Sequence, residues 1–71
     1  MRDWSADFTN DPNDDYNIIV EILCDNNEVA VIRRGQQGLE IIWYPNAEEL
    51  VIPIDWLTKL LVEANIRMSS E

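Results

Sequence analysis

The chain has no histidine and a single cysteine among its 71 residues. Without histidine, a Ser-His-Asp or Cys-His arrangement cannot be assembled. A structural zinc site needs four ligands, normally Cys and His, so one chain cannot build it. Cys24 has no second cysteine to bridge, and within a strand it reads as a buried structural thiol. Glycine is scarce too, and its two copies form neither GxGxxG nor GxxxxGK[ST], which removes the usual phosphate-cradling loops. No apolar run approaches the roughly 18 residues of a membrane span. MRDWSADFTNDPNDD has no apolar core of a signal peptide, and the terminal MSSE matches no lipidation pattern. With a lone reduced thiol, these absences lead us to expect a cytoplasmic protein.

Basic residues are also few. Five stand against fourteen acids, for a net charge of −9. That charge repels phosphate backbones and anionic headgroups, so direct nucleic-acid and membrane binding are not expected. Its plainest role is solubility; a second is to face a basic partner or imitate a nucleic acid. The hydrophobic content of 46% argues against global disorder. A core this small supplies little net stability, and with disulfides and zinc excluded, oligomerisation is the support left open.

One stretch organises the rest. In Asp55 to Met68 the apolar residues Trp56, Leu57, Leu60, Leu61, Ala64 and Met68 recur with the period of one helical face, with Val62 and Ile66 widening it. Asp55 is placed to cap its start and Arg67 suits its negative end. Before it come three β-rich runs: Asn17 to Cys24, Glu28 to Arg34 and Leu39 to Tyr44. Asn26-Asn27 and Gln36-Gln37 are the expected two-residue turns, the second flanked by Gly35 and Gly38. Hairpin connections make the meander antiparallel. The expected fold is therefore α+β, a three-stranded antiparallel meander with one C-terminal amphipathic helix on one face. Val51 to Ile54, extended ahead of Pro53, is the place for a short fourth strand. Residues 1–15 read as an acidic flexible arm, and residues 16–71 as a single domain. Within the arm, Trp4 and Phe8 would meet on a helical turn. The arm is either a mobile tail or a flap whose two aromatics cover an apolar surface.

With those loops, Ile18, Val20, Ile22 and Cys24 share a face with Val29, Val31, Arg33, Glu40, Ile42 and Tyr44. Ile19, Glu21 and Leu23 share the other with Ala30, Ile32, Arg34, Leu39, Ile41 and Trp43. Arg33 stands opposite Glu40, and salt bridges to Glu21 and Glu40 account for the Arg33-Arg34 pair. A one-residue slip would exchange these sets. In either register both faces are largely apolar, whereas a sheet with one wet face should alternate cleanly. One helix covers one face. The other is left for the Trp4/Phe8 arm or for a second copy, and we expect a homodimer.

The remaining motifs are weak. Asp11, Asn13 and Asp15 have the opening spacing of a calcium loop, but Tyr16 stands where glycine is needed and Ile22 where glutamate is. Glu48, Glu49 and Asp55 read as a solvated connector and a cap, not an acid–base pair. Trp43, Tyr44 and Trp56 read as core, or as interface anchors where they face outward beside Ile42. No cofactor, metal or catalytic residue is assigned. The candidate interface is Trp43, Tyr44, Ile42, Ile19, Leu23, Trp4 and Phe8. The expected function is a non-enzymatic, self-associating interaction module. The alternative is an acidic inhibitor or immunity-type protein that binds a basic protein.

Overall fold

A computed structural model describes residues 2–69. Met1, Ser70, Glu71 and the side chain of Asp14 lie outside the described residues, and with them the end of the MSSE tail and of the expected arm.

Four strands form one antiparallel sheet in sequence order: β1 Trp4–Asp11, β2 Asn17–Cys24, β3 Asn27–Gly35 and β4 Gly38–Trp43. Helix α1, Ile54–Ser69, packs on one face. The α+β class, the meander and the terminal helix are as expected. No helix among the described residues is long and apolar enough to cross a membrane.

The fourth strand is not at Val51 to Ile54. That segment is irregular up to Ile54, where α1 begins. The sheet gains its fourth strand at the other end of the chain, from residues read as an arm. β1 pairs with β2 along its whole length, from Trp4 opposite Cys24 to Asp11 opposite Asn17. Trp4, Ala6 and Phe8 alternate with Ser5, Asp7 and Thr9, so the aromatics reach one face by the two-residue period of a strand, not by a helical turn. The Asp3 carbonyl accepts from the Asp25 N–H at 2.8 Å, and the Asp3 N–H donates to Asp25 Oδ1 at 2.8 Å, which pins the start of β1 to the next hairpin.

The β1–β2 connection is a short 3₁₀ turn, Pro12–Asp14, capped by Asp11, whose Oδ1 accepts from the Asn13 N–H at 3.0 Å. This cap accounts for the calcium-like spacing of Asp11 and Asn13. The β2–β3 turn is Asp25-Asn26, one residue earlier than expected. Both have positive φ, 52° and 69°, as a hairpin turn of the I′ class requires.

A bulge then shifts the β2–β3 register. Leu23 faces Glu28 but Ile22 faces Ala30, so Val29 is the extra residue. Earlier turn and bulge together slip the register by one, and the β2 face sets exchange. Val20, Ile22 and Cys24 join Ala30 and Ile32 under the helix, and Val29 packs there too. Ile19, Glu21 and Leu23 share the opposite face with Glu28, Val31 and Arg33. The second turn is Gln36-Gln37, as expected: Gly35 faces Gly38 around it, and Arg33 faces Glu40.

The helical ladder starts earlier than Asp55. The Leu57 N–H donates to the Pro53 carbonyl at 3.0 Å, so Pro53 is its first acceptor and Asp55 sits in the first turn, complementing the dipole rather than capping. Leu60, Ala64 and Met68, spaced by four, are the buried stripe, with Trp56 packed at its edge. Leu61, expected in the packed face, is instead exposed.

Candidate functional site

The helix runs over β1, β2 and β3. Trp56 packs on Trp4 with ring centroids 5.9 Å apart, and the Arg67 guanidinium lies 4.3 Å from the Phe8 ring centre. At its end, Arg34 of β3 donates to the Met68 carbonyl, closing the negative end of the helix with a cation. Trp4 and Phe8 are therefore covered by α1, and the helix side of β1 is closed.

Among the described residues of β4, only Leu39 packs against the core under the helix. Leu39, Ile41 and Trp43 point to the helix side, yet Ile41 and Trp43 are exposed. Between β4 and α1 runs a groove of about 330 Å³, lined by Leu39, Ile41, Leu61, Val62 and Asn65 over Ile32 and Ala64. Val62 also faces the outer side of the helix with Ile66, Thr58 and Lys59. Leu61, Val62 and Ile66 are 43, 56 and 67% exposed, so Leu61 and the two residues that widen the helical stripe face outward instead of into the core. The charges beside it, Glu63 and Arg67, pair with each other at 2.8 Å.

The face opposite the helix has different chemistry. Ile19 and Leu23 of β2, Ile42 of β4 and Tyr44 just after it lie there, separated by Glu28, Val31 and Arg33. Ile19 and Val31 are already buried, although no second layer among the described residues covers them. Long polar side chains close over this face. Arg33 pairs with Asp11 at 3.1 Å, not with Glu21 or Glu40 as expected, and the Tyr44 hydroxyl donates to Glu28 Oε2 at 2.7 Å. Glu40 folds over Gly35 into space that any side chain there would occupy. Asp7, Asp11, Glu21, Glu28 and Glu40 share the face. The Glu21 carboxyl is held above its ordinary value, first by a hydrogen bond shared with Glu28, then by burial and the carboxylates of Glu28, Asp7 and Asp11. The Tyr44 phenol is raised as well, first by its hydrogen bond to Glu28.

The seven candidate interface residues are therefore not one surface. Ile42, Tyr44, Ile19 and Leu23 lie on the carboxylate face, while Trp43 lies exposed on the helix side of β4 and Trp4 and Phe8 lie under the helix. Trp43 and Tyr44 are exposed rather than core. Ile41, Leu61, Val62 and Ile66 were missed as a surface. Their signal was present in the helix, where apolar residues extend beyond the one stripe a single sheet can cover.

At the hairpin end, Cys24 is buried and approached by the Arg2 guanidinium at 3.9 Å. Arg2 also pairs with exposed Glu48, on the connector whose Val51 carbonyl accepts from Trp4 Nε1 at 3.1 Å. Among the described residues, no three His, Cys, Asp or Glu side chains converge to hold a metal ion. The arrangement offers an apolar groove, an open strand edge and a carboxylate face. Comparison with family models, with curated proteins and with solved structures gives no match for this chain.

Proposed function

We propose that the chain is a small acidic, non-catalytic interaction module that self-associates as a homodimer through the apolar surface of β4 and α1. One observation carries this reading: Ile41, Leu61 and Val62 line one exposed apolar groove, and Val62 links it to exposed Ile66 on the outer side of the helix. The self-association surface expected opposite the helix carries five carboxylates against Arg33, so stacking two copies there would oppose like charges. Among the described residues, the groove between β4 and α1 has no ionisable lining, so apolar burial there meets no such repulsion. A buried lone thiol at Cys24 suits a reducing compartment, and we place the protein in the cytoplasm.

The test is the solution mass over a wide concentration range, for the wild type and for the Leu61→Lys/Val62→Lys double variant. The expected result is a wild-type dimer and a folded monomeric variant. A wild type that stays monomeric at every concentration overturns the reading.

The carboxylate face favours a second reading, an acidic inhibitor that docks a basic protein through Asp7, Glu21, Glu28 and Glu40. An oligolysine probe should then bind with an affinity that falls steeply with salt. Absence of binding at low salt would sink it.

A further inference from the structure

We infer that two copies of this chain join edge to edge through β4, antiparallel about a two-fold axis at Ile41, to make one continuous eight-stranded sheet. The inference rests on the reading of the chain as a self-associating module and names the geometry of that association.

The backbone of β4 shows which groups are available. The Tyr44 N–H donates to the Val29 carbonyl at 2.9 Å, so Tyr44 turns its backbone groups toward β3. In an antiparallel ladder this direction alternates along the strand. Ile42, Glu40 and Gly38 therefore also face β3, as the closing pair Gly35–Gly38 of a two-residue hairpin requires. Leu39, Ile41 and Trp43 turn their N–H and C=O groups outward to the open edge. Their side chains are the ones on the helix side, next to the groove.

A two-fold axis at Ile41 sets Ile41 against Ile41 and Leu39 against Trp43 of the other copy. On the carboxylate face it sets Glu40 against Ile42. No like charges meet. Moving the axis half a residue along the chain would alternate the wrong faces against each other, and moving it to Glu40 would oppose two Glu40 carboxylates. Moving it to Ile42 would bring Pro45, which has no N–H, against Leu39. The run Leu39 to Trp43 is thus complementary to itself in one antiparallel register.

The other edge is closed to such pairing. β1 carries Asp7 and Asp11 and ends at Pro12, which are the residues that blunt sheet edges. Its helix side is covered by Trp56 and Arg67, whereas β4 leaves Ile41 and Trp43 partly exposed.

The surface area agrees. The chain exposes 5209 Å² for a mass of 8.3 kDa. Monomeric proteins of that mass expose about 4,600 Å². The chain thus exposes about 600 Å² more than a typical monomer of its mass, in the direction expected for a chain with surface left to bury.

Amide hydrogen exchange on the full-length chain, at concentrations where its mass has been measured, tests the geometry. In the dimer the amides of Leu39, Ile41 and Trp43 should be slowed by about tenfold or more relative to the dilute monomer. Ile41→Pro removes an N–H that β3 does not use. It should keep the folded circular dichroism and weaken the dimer by about tenfold or more, whereas Ile42→Pro should lose the fold. If Ile41→Pro does not fold, the wild-type exchange decides alone. A dimer whose three outward amides exchange as freely as exposed amides overturns the edge pairing and leaves self-association standing. A monomer at every concentration overturns both.

Discussion

Trp4 and Trp56 meet with their ring centroids 5.9 Å apart and their planes tilted by 44°, joining the first strand to the first turns of the helix. Trp4 Nε1 also donates to the Val51 carbonyl, so one side chain holds strand, connector and helix together. Trp4→Ala should cost about 2 kcal/mol or more, as expected for losing a large half-buried aromatic. Trp4→Phe should keep most of the packing and lose about 1 kcal/mol with the hydrogen bond. Chemical denaturation midpoints of the two variants check both values, and equal losses would mean that the ring contact contributes little.

The status of β1 can be tested by truncation. Removing residues 1–15 takes away the strand that pairs with all of β2 and bares the core around Val20 and Ile22. The shortened chain should be unfolded or aggregated by circular dichroism and light scattering, because β2 becomes a long apolar edge. A well-folded, soluble truncation would show that β1 is dispensable.

The carboxylate face sets a pH dependence. Glu21 has a carboxyl raised above 4.5 by its hydrogen bond to Glu28, by burial and by neighbouring carboxylates. The folded state therefore binds this proton more tightly than the unfolded state. The resulting stability is fully present below the ordinary carboxylate value and is lost as pH rises through the raised value. Thermal midpoints should rise as pH falls from neutral toward that window. Glu21→Gln should stabilise the chain at neutral pH and flatten this part of the profile, measured by thermal melts across pH.

Two turns allow opposite substitutions. Asn26 holds φ at 69° in the β2–β3 turn, so Asn26→Gly should stabilise by about 0.5 kcal/mol through relief of a left-handed conformation. Gly38 holds φ at 114° with open space around it, so Gly38→Ala meets no atom and suffers only backbone strain. It should destabilise by about 1 kcal/mol or more. Denaturation curves that give the same sign for both would contradict the turn geometry.

Much of the fold is legible in local patterns. The helix from its apolar period, β2 from its β-branched run, and the Gln36-Gln37 turn with Arg33 opposite Glu40 all follow from residues close in the chain. β1 was harder to see, although Trp4, Ala6 and Phe8 do alternate. Ala, Asp and Asn are poor strand formers, and two aromatics four apart fit a helical turn equally well. What makes that stretch a strand is β2, whose free edge supplies partners to every residue from Trp4 to Asp11.

Composition and local periodicity set the class of object: a small, acidic α+β chain without the residues for histidine chemistry or structural zinc, and with more apolar surface than one helix can cover. Those properties depend on composition and on periods of two and 3.6 residues, which act locally. Where the surplus apolar surface lies depends on long-range packing. An earlier turn and a bulge at Val29 exchanged the faces of β2, because a one-residue slip inverts a strand's whole side-chain set. The helix then settled over β1 to β3, which left β4 and the outer side of α1 bare and gathered the carboxylates on the far face. No local pattern contains that choice, since it depends on which strands lie beneath the helix.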